Sequence, residues 1–134
     1  MKTAYCAIGF RSRQLFSTEI TIIRELCLEN DINLFVFVDT HHFAPSEEKE
    51  MMEKAFRAIR QADLLIAEVS EKAIGVGIEI GYAKALDKPV IFLRKKQAPH
   101  SSTASGSADC HIVYENGADL TQKLSVLLKM LKIN

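Results

Sequence analysis

The stretch from residue 63 to residue 93 constrains the fold more than any other part of the chain. An apolar run of strand length (63–70) precedes a glycine-bearing loop (75–77), a helix-period segment (79–86) and a second apolar run (88–93) headed by proline. This succession is typical of a βαβ crossover. It predicts a parallel sheet, in which ligands bind beyond the carboxyl ends of the strands.

The rest of the chain repeats the alternation of strand and helix. Further strands are predicted at residues 3–9, 33–38 and 110–113, and further helices at residues 16–29, 46–61 and 120–131. Right-handed crossovers then predict one α/β domain over residues 1–134, a flavodoxin-like (Rossmann-like) three-layer sandwich whose five-stranded parallel sheet has the order 2-1-3-4-5. The Ser-rich stretch 97–109 reads as a flexible surface loop.

Composition excludes several classes of function. The 134 residues are 48% hydrophobic, enough for a core, and the 17 basic and 17 acidic residues cancel. No overall field therefore favours a nucleic acid polymer or an anionic membrane. No apolar run reaches the length of a membrane span and the start lacks a secretion signal, so a soluble cytoplasmic protein is expected. The three Cys and four His lack metal-ligand spacing, which predicts buried thiols, no metal and no redox cofactor.

Glu79 is the strongest candidate for a functional residue. Gly75 and Gly77 precede it and carry no side chain, so a substrate could lie directly against the main chain there. The predicted turn places Glu79 in the first turn of a helix at the topological switch point, where the helix dipole is expected to keep a carboxylate ionised. The alternative is a solvent-facing glutamate stabilised by that dipole.

Other candidates follow the first strand. Arg11 and Arg13, beside Ser12, could hold a phosphate by charge-assisted hydrogen bonds, or they could form a solvated basic loop. Tyr5 lies within the strand and is either a core residue or a wall of the site.

Polar residues also follow the second and third strands. Asp39, His41 and His42 come after the second strand, and any of them could donate a proton, although polar residues are common in loops. Asp63 is predicted to fix the start of the third strand. Glu68, at the end of that strand, is either a partner of a site residue or a residue on the rim.

These residues carry a family resemblance. Residues 61–70, 75–83 and 88–93, with the core pattern Gly-x-Gly-x-Glu-x-Gly, resemble the nucleoside 2-deoxyribosyltransferase superfamily, and in particular its branch of 2′-deoxynucleoside 5′-monophosphate N-glycosidases. The likeness begins at Tyr5 and extends through residues 101–109.

The resemblance implies specific roles. The residue matching Glu79 attacks the anomeric carbon of the sugar and forms a covalent glycosyl-enzyme, and the residue matching Tyr5 lies near the sugar. A serine matching Ser101 reaches the 5′-phosphate from a neighbouring subunit, so a homodimer with a shared site is expected. The resemblance also implies that the loop from Gly9 to Ser12 contacts the 5′-phosphate. Together with the candidates named above, the predicted substrate site comprises Gly9, Phe10, Arg11, Ser12, Arg13, Asp39, His41, Gly75, Gly77 and Ser101.

Two positions depart from the family pattern. An aspartate that assists departure of the base is Ala55 here, and a serine that contacts the phosphate is Ala73. Either His41, His42 or Asp39 supplies the proton, or the leaving group is a good one, or the domain binds a nucleotide without cleaving it. Transfer to an acceptor base and the cytokinin-releasing phosphoribohydrolase reaction are further alternatives, although the Pro-Gly-Gly-x-Gly-Thr run of the latter is absent.

Overall fold

The sheet of this protein has five strands, all parallel, in the order β2-β1-β3-β4-β5. The computed structural model describes residues 1–40 and 42–131. The strands are β1 (Lys2–Ile8), β2 (Ile32–Val36), β3 (Leu64–Glu68), β4 (Val90–Lys95) and β5 (Cys110–Tyr114). The helices are α1 (Ser17–Glu29), α2 (Phe37–Thr40), α3 (Glu48–Gln61), α4 (Ile74–Ala85), α5 (Ser102–Gly106) and α6 (Gly117–Met130), and a 3₁₀ turn, Pro45–Glu47, precedes α3. The predicted fold class and strand order are confirmed.

Helices cover both faces of the sheet. Alternate residues of β1 enter two separate apolar clusters: Ala4, Cys6 and Ile8 pack towards α1 and α6, whereas Tyr5 and Ala7 pack towards α3 and α4. This period of two is what a strand requires when it is buried on both sides. It matters for function because it directs the Tyr5 side chain to the face on which α4 carries Glu79.

The predicted loop at Gly75 and Gly77 is wrong, because both glycines lie inside the first turn of α4. Ala73, in an extended conformation, is the cap residue, and the helix begins at Ile74. Glu79 consequently lies in the second turn of the helix. Glycine disfavours helices, but the cost is about 1 kcal/mol per residue, which tertiary packing can override.

Two other local predictions need correction. The second strand ends at Val36, and the chain then turns into α2, so Asp39 is a helical residue. The stretch predicted as a flexible loop contains α5, whose first turn is capped by Ser101: its Oγ accepts a hydrogen bond from the backbone N–H of Ala104 at 3.3 Å.

Three further properties concern the described residues. The cysteines are unpaired thiols; Cys6 and Cys27 are buried as predicted, whereas Cys110 is only half-buried because β5 lies at the edge of the sheet. Asp63 connects β3 to β1 as expected, since its Oδ2 accepts a hydrogen bond from the Thr3 N–H at 2.9 Å. No helix within residues 1–40 and 42–131 is both long enough and apolar enough to cross a membrane.

Candidate functional site

The centre of the site is a contact between Tyr5 and Glu79. Tyr5 is fully buried on β1, and its hydroxyl group donates a hydrogen bond to Oε2 of Glu79 on α4. Among the described residues, Oε1 of Glu79 has no hydrogen-bond donor within reach. The contact therefore fixes the carboxylate through one oxygen and leaves the other available to a ligand.

Burial dominates the electrostatics of this pair. It raises the pKa of the Glu79 carboxyl to about 7, and the hydrogen bond from Tyr5 opposes that rise. Burial and the neighbouring carboxylate both raise the pKa of Tyr5, so the phenol stays neutral and acts as a donor. This upward shift of the pKa opposes the expectation that Glu79 stays ionised at neutral pH. Its second-turn position moves it away from the helix end, where the dipole acts.

Glu79 opens into an apolar cavity of about 460 Å³, lined by Ile8, Gly9, Phe10, Phe37, Val38, His42, Phe43, Met51, Met52, Ala55, Ala73, Gly75, Val76 and Glu79. One wall is aromatic, because Phe37 stacks on Tyr5 and on Phe43 at centroid distances of 6.2 and 6.1 Å. Ligand cavities are commonly apolar with a few polar groups that orient the ligand. This cavity therefore suits a flat apolar group held beside a carboxylate.

Ala55 is part of that wall. Its methyl group is 1% exposed and lines the cavity from α3. The structure thus places a small apolar side chain where the resemblance implied an acid. Among the described lining residues, Glu79 and His42 are the only ones with a titratable side chain.

A second cavity of about 600 Å³ adjoins the first and is polar. It shares Phe10, Val38 and His42 with the apolar cavity, and its other lining residues are Arg11, Arg13, Gln14, Ser17 and Asp39. This arrangement brings basic side chains close to the apolar cavity, although not into it.

The guanidinium of Arg13 is already engaged in this polar cavity. Its Nε and Nη2 donate to the two carboxylate oxygens of Asp39 at 2.8 and 2.9 Å, a bidentate pair. Two predicted substrate residues are therefore partners of one another. Asp39 also lies outside the cavity that holds Glu79. Arg11 is exposed and forms no ion pair or hydrogen bond with another described residue, which leaves it as the available cation.

The loop after β1 packs closely on the loop before α4. Ser12 is 4% exposed, and its Oγ donates to Oε1 of Glu71 at 2.6 Å, so this hydroxyl is used within the protein. A Cβ atom at Gly9 would lie 3.1 Å from that of Ala73 and 3.3 Å from Oγ of Ser12. Glycine at position 9 therefore permits this close approach.

The remaining predicted residues divide between two cavities. Gly75 faces the cavity with Glu79, whereas Gly77 and Ser101 line a third cavity of about 280 Å³ on the other side of the start of α4. A Cβ atom at Gly75 or Gly77 would meet no protein atom within 4 Å. Within one chain, the residues predicted to bind phosphate therefore lie near one another but do not face one common cavity. The predicted residue His41 lies outside the described residues.

Glu68 is buried, so it is not a rim residue. Its carboxylate accepts hydrogen bonds from the Ser70 N–H, the Ser70 hydroxyl and the Tyr114 hydroxyl at 2.7, 3.0 and 2.6 Å. Oγ of Ser70 in turn accepts from the N–H of Lys95. The network joins the ends of β3, β4 and β5 below the loop that leads to α4.

Sequence reasoning missed the apolar wall. Phe37 and Phe43 flank the polar segment that follows the second strand, and Met51 and Met52 lie near the start of α3, yet the sequence analysis proposed none of the four as a lining residue. Within the described ranges no three His, Cys, Asp or Glu side chains come together in a way that could hold a metal ion.

Comparisons with known proteins agree with the fold and with the family resemblance. Residues 9–126 match the profile of the family described as nucleoside 2-deoxyribosyltransferase. A mouse protein named 5-hydroxymethyl-dUMP N-hydrolase is 43% identical over 53 residues, which cover 38% of this chain and 31% of the relative. A Syntrophotalea carbinolica protein, whose name describes a 2′-deoxynucleoside 5′-phosphate N-hydrolase, is 60% identical over 35 residues, which cover 26% and 25%. The matches span a third or less of these relatives.

Two solved structures share the fold. The CMP N-glycosidase BcmB of Clostridium botulinum has a TM-score of 0.68 at 21% identity, over 93% of this chain and 99% of that one. A 2-deoxyribosyltransferase of Bacillus psychrosaccharolyticus has a TM-score of 0.70 at 15% identity, over 94% and 95%. At these identities the likeness demonstrates a common fold.

Proposed function

Because the chain belongs to the nucleoside 2-deoxyribosyltransferase family, we propose that it hydrolyses the N-glycosidic bond of a nucleoside or deoxynucleoside 5′-monophosphate in the cytoplasm. The observation that carries the proposal is the carboxylate of Glu79, held by the Tyr5 hydroxyl and facing an apolar cavity. The names of the relatives support the reaction class, since the mouse protein is named as an N-hydrolase of a nucleotide.

The reaction proceeds in two steps in this proposal. The free oxygen of Glu79 attacks C1′ of the sugar, the C1′–N bond breaks, and its electron pair leaves with the base. Water then attacks C1′ of the glycosyl ester, returns the carboxylate to Glu79, and adds its hydroxyl to the sugar and a proton to the base. The net change is the addition of one water molecule across the C1′–N bond.

Tyr5 orients the nucleophile in this scheme. Its hydroxyl group holds Oε2 of Glu79, so the other oxygen is presented to the sugar. The same hydrogen bond stabilises the ionised form, which is the nucleophilic one, against the effect of burial.

The phosphate is proposed to lie at the polar end of the site. Arg11 supplies the charge, while the loop 9–13 and the exposed glycines of α4 allow close approach of the ligand to the main chain. Arg13 contributes through its pair with Asp39, which holds the loop in place. Ser101 completes the site from a second subunit, as the resemblance implies.

A homodimer is part of the proposal. Ile74 and Ile78 lie one turn apart on α4 and are 85% and 48% exposed. Exposed apolar patches of this kind support association with another chain. Light scattering after size-exclusion chromatography should give twice the chain mass for wild type and a lower mass for Ile78→Glu; a monomeric wild type would contradict this part.

Base release tests the proposed reaction. Wild-type protein is incubated with a panel of ribo- and deoxyribonucleoside 5′-monophosphates and the corresponding nucleosides, and free base is measured by chromatography. Glu79→Gln should abolish release, whereas Glu53→Gln, an exposed glutamate on α3, should leave it unchanged. Absence of release from every compound, despite nucleotide-dependent thermal stabilisation, would indicate a nucleotide-binding module instead.

A further inference from the structure

The cavity beside Glu79 offers a departing base almost no proton donor. Of the 14 described residues that line it, 12 have apolar side chains or none, and the remaining two are Glu79 and His42. Glu79 must itself be deprotonated to act as a nucleophile. A base that leaves C1′ therefore has His42 as its only described side-chain donor within the cavity lining.

The other donors near the cavity are already engaged or lie outside it. The Tyr5 hydroxyl donates to Glu79, and Asp39 lies in the polar cavity with both oxygens bound to Arg13. His42 itself is exposed and lies at the junction of the apolar and polar cavities, close to solvent. Within residues 1–40 and 42–131, no buried side chain that lines the cavity is therefore available to protonate a departing base.

An apolar wall also stabilises a departing anion poorly. In a site of low dielectric, the free energy of a localised charge rises steeply unless a partner neutralises it. The negative charge that develops on the leaving nitrogen must then be delocalised within the base itself. Bases with carbonyl groups conjugated to that nitrogen, such as uracils, have this property.

We propose that this site selects nucleotides with an intrinsically good leaving base, namely uracil-type pyrimidines that carry an electron-withdrawing substituent. The inference rests on the proposed function. The C1′–N electron pair leaves as a delocalised pyrimidine anion, Glu79 forms the ester to C1′, and the base takes its proton afterwards from the water that hydrolyses the ester.

A matched pair of substrates isolates the leaving-group effect. 5-Methyl- and 5-bromo-2′-deoxyuridine 5′-monophosphate carry apolar substituents of similar size but differ in electron withdrawal. Single-turnover base release measures cleavage of the C1′–N bond alone. We expect release from the bromo compound to be faster by on the order of 10-fold or more, since no general acid levels the difference.

The same pair is measured with His42→Gln. An unchanged ratio between the two substrates, with both released, supports the inference. Equal rates in wild type would overturn it, and so would a His42→Gln variant that loses activity on the methyl compound alone, because His42 would then be the acid. Absence of release from both substrates and from all others of the panel would overturn the proposed function together with this inference.

Discussion

Replacement of Tyr5 by phenylalanine should shift the pH at which the enzyme becomes active. Burial raises the pKa of Glu79 to about 7, and the hydrogen bond from Tyr5 acts in the opposite direction. Tyr5→Phe removes that hydrogen bond but keeps the ring and its burial. The pKa of Glu79 should therefore rise further, and the ionised nucleophile should form only at higher pH.

The size of the shift follows from the strength of the hydrogen bond. A hydrogen bond to a charged group contributes about 1.5–3 kcal/mol, and one pKa unit corresponds to about 1.4 kcal/mol, so a rise of about one to two units is expected. Starting from a value of about 7, the ionised fraction at pH 7 would fall from about one half to roughly 1–10%. Single-turnover base release should be roughly 5- to 50-fold slower at pH 7 and should approach the wild-type rate above pH 9.

The assay is the pH profile of single-turnover base release, measured from pH 5 to pH 10. Tyr82→Phe is the matched control, because Tyr82 also lies on α4 but its hydroxyl group accepts a hydrogen bond from Arg60 away from the cavity. A Tyr5→Phe rate that is lower by the same factor at every pH would refute the electrostatic reasoning. Tyr5 would then act by positioning alone.

Two further predictions concern α4. Because the folded-state pKa of Glu79 is raised from 4.5 to about 7, its ionisation should cost stability progressively between those pH values, by about 3 kcal/mol at most. Glu79→Gln should therefore unfold at higher urea concentration than wild type at pH 8, but at a similar concentration at pH 4; equal midpoints at both pH values would contradict this. Gly75→Ala and Gly81→Ala should each stabilise the helix by about 0.5–1 kcal/mol, but only Gly75→Ala, whose methyl group enters the cavity, should raise KM.

The sheet topology was predictable because the rules of strand connection need only the order of strands and helices along the chain. Apolar runs of strand length alternate with helix-period segments, and parallel connections are right-handed, so few strand orders remain possible. Glu79 could be proposed as a site residue on the same grounds, because the switch point locates a ligand site before any side chain is placed. Tyr5 was open between the core and a wall of the site, and only the resemblance implied a place near the sugar. Their direct contact was not predicted, since it depends on which face of β1 holds Tyr5 and on the turn of α4 that holds Glu79.

Local structure near the site was less predictable. The low helix propensity of glycine favours a turn at Gly75 and Gly77. The helix α4 nevertheless includes both residues, because the packing of Val76 and Ile80 in the core outweighs the small cost of glycine in a helix. The bidentate pair of Arg13 and Asp39 was missed because each residue was considered as a ligand for substrate. Oppositely charged residues that follow the ends of two neighbouring strands, β1 and β2, are the signal that would have found it.

The apolar wall connects the pKa of the nucleophile with the choice of leaving group, and Ala55→Asp changes both. A carboxyl group at this buried position supplies the cavity with a proton donor and a second acid near Glu79. Like charges disfavour one another, so the new acid should stay protonated while Glu79 is ionised. Release from the 5-methyl nucleotide should then rise towards that from the 5-bromo nucleotide. Ala55→Asn adds polarity without an acid and should leave the ratio unchanged. Thermal unfolding of both variants identifies any loss of folding, and an unchanged ratio in a folded Ala55→Asp protein would contradict the idea that the wall sets the leaving group.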